Sequence, residues 1–366
     1  MLLVGTITLA PIGFVISGSF NVSDPGQPAR LGLAGWQEVL LRSQATLTAI
    51  RYTFLLSLRA PAAVLLGFAI AWLLVRVRIP GRTFIEFGLW VAFFMPVLPV
   101  TLGWILLLDP HYGLLNDVTS RLPVLTGKPF NIYSLGGIVW IHMTTTTVPV
   151  MVILLLPALR RFDAAFEDSA RMCGSGSLRI MRRITLPILA PAIVTALIAG
   201  LIRSLEAFEV EQLLGTPAKI QVYATRIYNY ISVDPAQYPP AMALSTLFLA
   251  VLLVLALVYQ RFTGRQQVAS VTARGMSLRP VAAASWRYIA SAILIGLVCI
   301  SVIVPVVMLV TGSFMRGFGF FSVDHPYTSE HWLAVFRDPV FVSSAAASLQ
   351  VGLAVAIGGV ALYSLL

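Results

Sequence analysis

The stretch "FEDSARMCGSGSLRIMRRITLPILAPAI", Phe166 to Ile193, gathers charge, glycine and a proline-terminated apolar segment within an otherwise apolar chain. Its first part places apolar or small residues at helical spacing and predicts a short amphipathic helix that breaks at Gly174. A second short helix, "LRIMRRITLP", leads to Pro187 at the start of a long apolar run. The pattern predicts a compact knuckle of two short helices joined by a glycine elbow.

The rest of the chain has the composition of a membrane protein. Of its 366 residues, 58% are hydrophobic and only 11% are charged, whereas soluble proteins have about 25% charged residues. A helix needs about 20 apolar residues to cross a bilayer, and backbone polar groups in lipid must be satisfied internally. We therefore expect an all-α, polytopic transmembrane helix bundle with about eight spans. These spans are predicted near residues 1–18, 46–75, 86–109, 135–158, 186–208, 240–260, 288–312 and 344–366.

Basic residues are distributed by loop rather than in one patch. They concentrate after the second, fourth and sixth predicted spans, and the alternate loops hold fewer of them. The positive-inside rule places the richer set of loops in the cytoplasm, and the knuckle lies in one of them. The net charge of +10 therefore reflects membrane topology and does not indicate a nucleic-acid partner.

The chain contains a partial internal repeat. "PIGFVISGSF" (residues 11–20) and "PVVMLVTGSF" (residues 305–314) share a proline and a Gly-Ser-Phe ending, and a short tryptophan-containing amphipathic stretch follows each. Such repeats are typical of transporters built from two similar bundles. We expect a first half of six spans at 1–260 with the knuckle at about 160–187, a cytoplasmic linker at 261–287 and a truncated second half at 288–366. The alternative is a flexible tail that precedes an unrelated membrane anchor.

The spacing within the knuckle resembles that of a known family. The coupling loop of ABC-importer permeases reads Glu-Ala-Ala, three residues, Gly, nine residues, Ile, one residue, Leu-Pro. The matching positions here are Asp168, Ser169, Ala170, Gly174, Ile184, Leu186 and Pro187. Asp168 stands where glutamate is usual, with Glu167 just before it, and Ser169 replaces an alanine. These departures leave open which carboxylate has the functional role. The alternative is a basic loop that only obeys the topology rule.

This resemblance implies a permease of the type I ABC-importer fold in a bacterial inner membrane. Its implied partners are a dimeric ABC ATPase subunit, whose cleft receives the knuckle, an extracytoplasmic substrate-binding protein and the lipid bilayer. The sequence contains no Gly-x-x-x-x-Gly-Lys-Ser/Thr pattern, which a phosphate-binding loop would require. We therefore expect a transport subunit that is not an enzyme, holds no cofactor and depends on ATP bound by its partner.

The segment "GLIRSLEAFEVEQLLGTPAKIQVYATRIY" holds the candidate translocation pathway. If the preceding helix continues, Glu206 and Glu209 lie one turn apart on one face, and ionisable residues near a membrane span often mark a pathway. The alternative is that both face water near the outer interface or pair with Arg203. The phrase resembles permeases of the ferric-iron group, which also includes relatives for thiamine, polyamines and phosphonates. Ferric iron is therefore the first expected cargo.

No metal or catalytic site is expected in the chain itself. The four histidines form no cluster with ligand spacing. The run "HMTTTTVPVM" (residues 142–151) favours packing or a kink over a pore lining, and Pro96 and Pro99 predict kinks in the third span. A rival from another class is an ion-coupled secondary transporter that uses Glu206 and Glu209 as cation sites.

Overall fold

The fold is that of a computed structural model, which describes residues 2–23, 27–121, 129–163, 165–263, 285–321 and 323–364. Within these ranges the chain is helical, and β-structure is confined to the isolated bridges Asn21–Leu31 and Met315–Tyr327. The predicted all-α class is confirmed. Most of the predicted linker at 261–287 lies outside the described residues, so the proposed division into two halves stays a prediction.

Eighteen α-helices are described, and five π-helical turns interrupt or extend them. The first six helices are α1 Leu2–Gly18, α2 Ala34–Gln37, α3 Gln44–Ser57, α4 Arg59–Arg76, α5 Arg82–Phe94 and α6 Val97–Leu108. The next six are α7 Leu114–Ser120, α8 Leu135–Ile141, α9 Val148–Arg161, α10 Ala165–Met172, α11 Ser177–Ile180 and α12 Leu186–Leu205. The last six are α13 Tyr223–Ser232, α14 Tyr238–Thr263, α15 Trp286–Val298, α16 Val304–Ser313, α17 Glu330–Arg337 and α18 Pro339–Ser364. The π-helical turns are Glu38–Arg42, His142–Thr147, Met181–Thr185, Glu211–Gly215 and Cys299–Ile303.

In the described part of the chain, six continuous helical segments are long and apolar enough to cross a membrane. They are Gln44–Arg76, Leu135–Arg161, Ser177–Leu205, Tyr238–Phe262, Trp286–Ser313 and Pro339–Leu362. The bent pair α5–α6 forms a seventh candidate. The predicted first span corresponds to α1, whose apolar stretch Leu9–Gly18 is shorter than the others. The prediction of about eight spans therefore holds approximately.

The helix α5–α6 bends by 104°. The break lies at Met95 and Pro96, between the end of α5 and the start of α6. Proline has no backbone N–H and disfavours helical geometry in the residue before it, which explains the break. Pro99 lies in the first turn of α6, where the missing N–H has no intrahelical partner to lose. The predicted kink therefore occurs at Pro96 and not at Pro99.

The threonine run forms the π-helical turn His142–Thr147 between α8 and α9. The Thr144 hydroxyl donates to the Trp140 carbonyl at 2.8 Å, and the Thr146 hydroxyl donates to the His142 carbonyl at 3.3 Å. These bonds to the preceding turn are the local competition expected of threonine in a helix. The wider turn rotates the residues that follow it, and such π-bulges are frequent at functional sites.

Among the residues that the structure describes, the core consists of three apolar clusters. The largest joins α4, α5, α9, α12 and α15 around residues such as Leu74, Met151 and Leu155. A second joins α6, α8, α16 and the segment 210–222, and a third joins α13 and α14 to the turn at Val39. Many large apolar side chains remain exposed, as expected of helices whose outer faces meet lipid.

The two repeat copies share their local geometry. The Gly32 amide donates to the Phe20 carbonyl at 2.8 Å, and the Thr328 amide donates to the Phe314 carbonyl at 2.6 Å. The ring of Phe20 lies 5.8 Å from that of Trp36, and the ring of Phe314 lies 5.9 Å from that of Trp332. Each copy therefore closes a loop with one bridge and packs a tryptophan against the phenylalanine that follows the preceding helix.

Candidate functional site

The knuckle is built as its sequence predicts, with α10 and α11 on either side of Gly174. Gly174 has a φ of +78°, in the left-handed region that favours glycine. The Gly174 amide bonds to the Arg171 carbonyl at 2.9 Å, and the Ser175 amide bonds to the Ala170 carbonyl at 3.0 Å. This pair of bonds is the Schellman arrangement that ends a helix. The glycine therefore sets the angle of the elbow.

Glu167 is the buried carboxylate of the knuckle, with 6% of its surface exposed. The Thr185 hydroxyl donates to its Oε1 atom at 2.8 Å. The guanidinium of Arg76 lies 3.4 Å from the same oxygen, and that of Arg171 lies 3.8 Å from Oε2. Glu167 therefore ties the first knuckle helix to the end of α4 and to the turn that precedes α12.

Asp168 has a different environment. Its side chain is 53% exposed and pairs with Arg171 at 3.2 Å on the surface of the knuckle. An exposed pair of this kind contributes little to stability. Alignment to the family pattern places Asp168 at the acidic position, but the tertiary structure gives the internal structural role to Glu167.

The outer surface of the knuckle is apolar and basic. Phe166, Met172 and Leu178 are 56%, 83% and 66% exposed. Ser169 is also exposed, whereas Ala170 is partly buried. Beside them is a concavity of ≈ 560 Å³. It is lined by Gly174, Gly176, Ser177, Leu178, Arg179, Arg182 and Arg183. Exposed apolar side chains of this kind are typical of interaction surfaces.

The closing residues of the pattern connect the knuckle to the membrane. Ile184 is partly buried and packs against the largest core cluster. The π-helical turn Met181–Thr185 leads directly into α12, whose first two residues are Leu186 and Pro187. No break separates these elements, so the helical segment Ser177–Leu205 is continuous. The second knuckle helix and the membrane span therefore belong to one continuous helical segment.

The second candidate site is a cavity of ≈ 410 Å³ at the C-terminal end of the segment Ser177–Leu205. Its polar lining comprises Arg59, His142, Thr146, Thr147, Arg203, Ser204, Glu206 and Glu209. Phe93 and Phe208 are among its apolar lining residues. Thr146 and Thr147 therefore face a cavity as well as packing within the helix, which differs from the preference stated from the sequence.

The structure changes the expected setting of Glu206 and Glu209. Helix α12 ends at Leu205, and residues 206–208 are not helical. Glu206 and Glu209 therefore do not share one helical face as predicted. Both are exposed and line the same cavity from the non-helical segment that follows α12. Their shared position is therefore the cavity lining and not one face of a helix.

Beside this cavity is a buried charged cluster that the sequence interpretation missed. The Arg59 Nη1 atom donates to Glu211 Oε1 at 3.3 Å, and His142 Nε2 lies 2.9 Å from the same oxygen. Arg59 Nη2 also donates to the Ser204 carbonyl at 3.4 Å. One signal was present: Arg59 is an ionisable residue inside a long apolar stretch, and such residues are usually functional.

The chain matches the family described as "Binding-protein-dependent transport system inner membrane component" over residues 63–268. It is 26% identical over 191 residues to the sulfate transport system permease protein CysT of Salmonella typhimurium. That match covers 52% of this chain and 66% of the relative, just under two thirds of its length. It is 29% identical over 173 residues to the molybdenum transport system permease protein ModB of Escherichia coli, covering 47% and 69% of the two chains.

A third relative is the spermidine/putrescine transport system permease protein PotC of Escherichia coli. It is 24% identical over 251 residues, which cover 68% of this chain and 87% of the relative. A crystal structure of a bacterial alginate ABC transporter, in complex with an alginate pentasaccharide-bound periplasmic protein, has a similar chain. The two have a TM-score of 0.59 and 22% identity, with coverage of 73% of this chain and 93% of the other. At this identity the likeness concerns the fold alone.

Proposed function

Because the chain belongs to the family of binding-protein-dependent transport system inner membrane components, we propose that it is the permease of an ATP-driven importer. In this function a separate ATPase dimer binds the knuckle, and an extracytoplasmic binding protein delivers the cargo. The chain supplies the membrane pathway and no ATPase site of its own.

The observation that carries this proposal is the knuckle. Its exposed apolar residues Phe166, Met172 and Leu178 offer a docking surface. Its interior is fixed by Glu167, and its second helix continues into a membrane span. A partner that pushes on this surface would move the span directly. A loop that only obeyed the positive-inside rule would need none of these features.

For the pathway, we propose the cavity that Glu206 and Glu209 line. Arg59 is paired with Glu211, so the charges left to face the cavity are those of Arg203, Glu206 and Glu209. Two carboxylates against one guanidinium give the lining a net negative charge, which favours a cationic cargo.

We propose a polyamine as the cargo. PotC, named for spermidine and putrescine, is the relative reported above with the longest match, and its name supports an organic cation. Ferric iron, the first expectation from the sequence, is the second candidate because it is also cationic. The relatives with which the chain was compared are named for cargoes other than iron, which weighs against it.

The test is uptake into proteoliposomes that contain the full-length protein, its ATPase subunit and its binding protein. Labelled spermidine and ferric iron are supplied separately, with sulfate, molybdate and thiamine as competitors. ATP-dependent spermidine uptake that needs all three proteins would support the proposal. Uptake that persists without ATP and collapses with an ion gradient would replace it with the secondary-transporter alternative.

A further inference from the structure

The helix α4 begins and ends with a buried arginine. Arg59 is 4% exposed and Arg76 is 2% exposed, and the length of the helix places them about 25 Å apart. Each guanidinium contacts one carboxylate, Glu211 at the first end and Glu167 at the second. A membrane-spanning helix with a buried ion pair at both ends is costly to assemble, so a functional explanation is warranted.

Both carboxylates lie in the segments that flank α12 in the sequence. Glu167 precedes α12 in the knuckle and accepts a hydrogen bond from Thr185, just before α12 begins. Glu211 follows α12, directly after the residues 206–210 that line the cavity. Arg59 also bonds to the carbonyl of Ser204 in the last turn of α12, where helix carbonyls lack intrahelical partners and carry partial negative charge. The contacts of α4 therefore bracket α12 at both of its ends.

The two helices also approach closely at the Arg59 end, one turn before Ser204. A Cβ atom added at Gly200 of α12 would lie 3.5 Å from the Cβ atom of Ala60 in α4. Small residues at this contact allow the two helices to pack closely in the membrane. The same Cβ position would also lie 3.0 Å from the Cε atom of Met151 in α9, so Gly200 accommodates this flexible side chain as well. The ion pairs at the ends and the close contact near Gly200 resist sliding and rotation of α4 relative to α12.

We propose that α4 and α12 move as one rigid unit during transport, with Arg59 and Arg76 as the positioning residues that fasten it. The unit carries a displacement of the knuckle to the segment Glu206–Gly215 and so to the cavity. This inference rests on the proposed function, because it assigns a route for movement between the ATPase-docking surface and the pathway.

The physical reason is the cost of separating buried charges. A guanidinium or a carboxylate left alone in a buried site loses its partner without regaining water. The pairs at Arg59 and Arg76 are therefore expected to persist through the transport cycle, while less polar contacts around them rearrange. Interfaces elsewhere in the bundle would then be the ones that slide.

The first test compares Arg59→Gln with Arg51→Gln in the reconstituted importer. Arg51 is an exposed arginine on α3, in the same membrane-spanning segment. For Arg59→Gln we expect the ATPase subunit to stay bound and to hydrolyse ATP, while cargo taken up per ATP falls about tenfold. For Arg51→Gln we expect the wild-type ratio. A merely structural role would lower the yield of folded protein without changing this ratio.

The second test fixes the two helices to each other. Ala60→Cys and Gly200→Cys are combined in a background in which Cys173 and Cys299 are replaced by serine. The 3.5 Å between the two Cβ positions suits a disulfide. Uptake is measured for the same protein before and after oxidation. A rigid unit predicts that the oxidised protein retains the uptake of the reduced one. Loss of uptake on oxidation, with recovery on reduction, would overturn the proposal.

These outcomes differ from a failure of the proposed function. If the wild-type protein shows no ATP-dependent uptake, the importer function itself is wrong. If wild-type uptake is normal and Arg59→Gln leaves uptake per ATP unchanged, the rigid unit is wrong and the importer function stands. If the cysteine protein is inactive even when reduced, the ratio measured for Arg59→Gln decides alone.

Discussion

Arg59 and Arg76 are the first and last residues of one helix, and each is buried against a carboxylate. The partner of Arg76, Glu167, precedes α12 in the sequence, and the partner of Arg59, Glu211, follows it. One pair lies at the knuckle and the other beside the cavity. The two candidate sites are therefore joined by the same pair of packed helices, although they are far apart in the sequence.

The two carboxylates of the knuckle are expected to differ sharply on substitution. Glu167→Gln leaves the buried guanidinium of Arg76 without a counter-charge, so we expect the free energy of unfolding to fall by about 3–5 kcal/mol. Asp168→Asn removes an exposed pair and should cost less than about 1 kcal/mol. Melting temperature and ATPase co-purification measure both effects. Equal effects of the two substitutions would contradict the assignment of Glu167 as the internal residue.

The elbow of the knuckle requires glycine for its backbone angle. Gly174 and Gly176 both have open space where a Cβ would lie, but only Gly174 has a positive φ. Gly174→Ala should therefore cost about 1–2 kcal/mol, and a bulky residue there should impair ATPase binding. Gly176→Ala is the matched control for backbone strain and should leave the melting temperature nearly unchanged. The measurement is ATPase pull-down with the purified permease, and intact binding and transport in bulky Gly174 variants would count against a docking knuckle.

The buried cluster beside the cavity should show strong non-additivity. Arg59→Met alone leaves Glu211 with His142 as its remaining partner in the cluster and should lower stability by about 3–5 kcal/mol. Adding Glu211→Leu removes the uncompensated charge, so the double variant should regain more than half of that loss. Melting temperatures of the two single variants and the double variant form the required cycle. Strictly additive losses would mean that the two side chains do not depend on each other.

The carboxylates of the cavity are expected to set the affinity for a cationic cargo. Glu206→Gln combined with Glu209→Gln should raise the KM for spermidine uptake about tenfold, which corresponds to about 1.4 kcal/mol. Glu330→Gln, an exposed glutamate at the start of α17, is the control and should leave KM unchanged. Kinetics of uptake at fixed binding-protein concentration would measure this. An unchanged KM in the double variant would remove both residues from the pathway.

The packing of α16 against α6 depends on a glycine. A Cβ atom at Gly103 would clash with the backbone carbonyl of Pro305, and backbone cannot move aside as a flexible side chain does. Gly103→Ala should therefore destabilise the protein by about 1–3 kcal/mol. Gly296→Ala in α15 adds a methyl group that meets nothing within 4 Å, and should be neutral or slightly stabilising. A stable Gly103→Ala protein would show that this contact is looser than the structure describes.

The sequence by itself determined the class of the molecule. Apolar length predicted most membrane spans, Pro96 predicted a kink, and the helical spacing that breaks at Gly174 predicted the knuckle. These features depend on local properties, since a span needs only enough apolar residues and an elbow needs only a residue that tolerates a positive φ. The family match later confirmed the kind of protein to which such a knuckle belongs.

Tertiary structure decided which residues act together. Neighbours in the chain, such as Glu167 and Asp168, are alike in sequence but differ in burial, because burial depends on what packs against each side of a helix. The contacts of Arg59 with Glu211 and of Arg76 with Glu167 span 152 and 91 residues of chain. Local periodicity carries no information about such pairs. They form only when folding brings distant helices together and excludes the water that would otherwise solvate their charges.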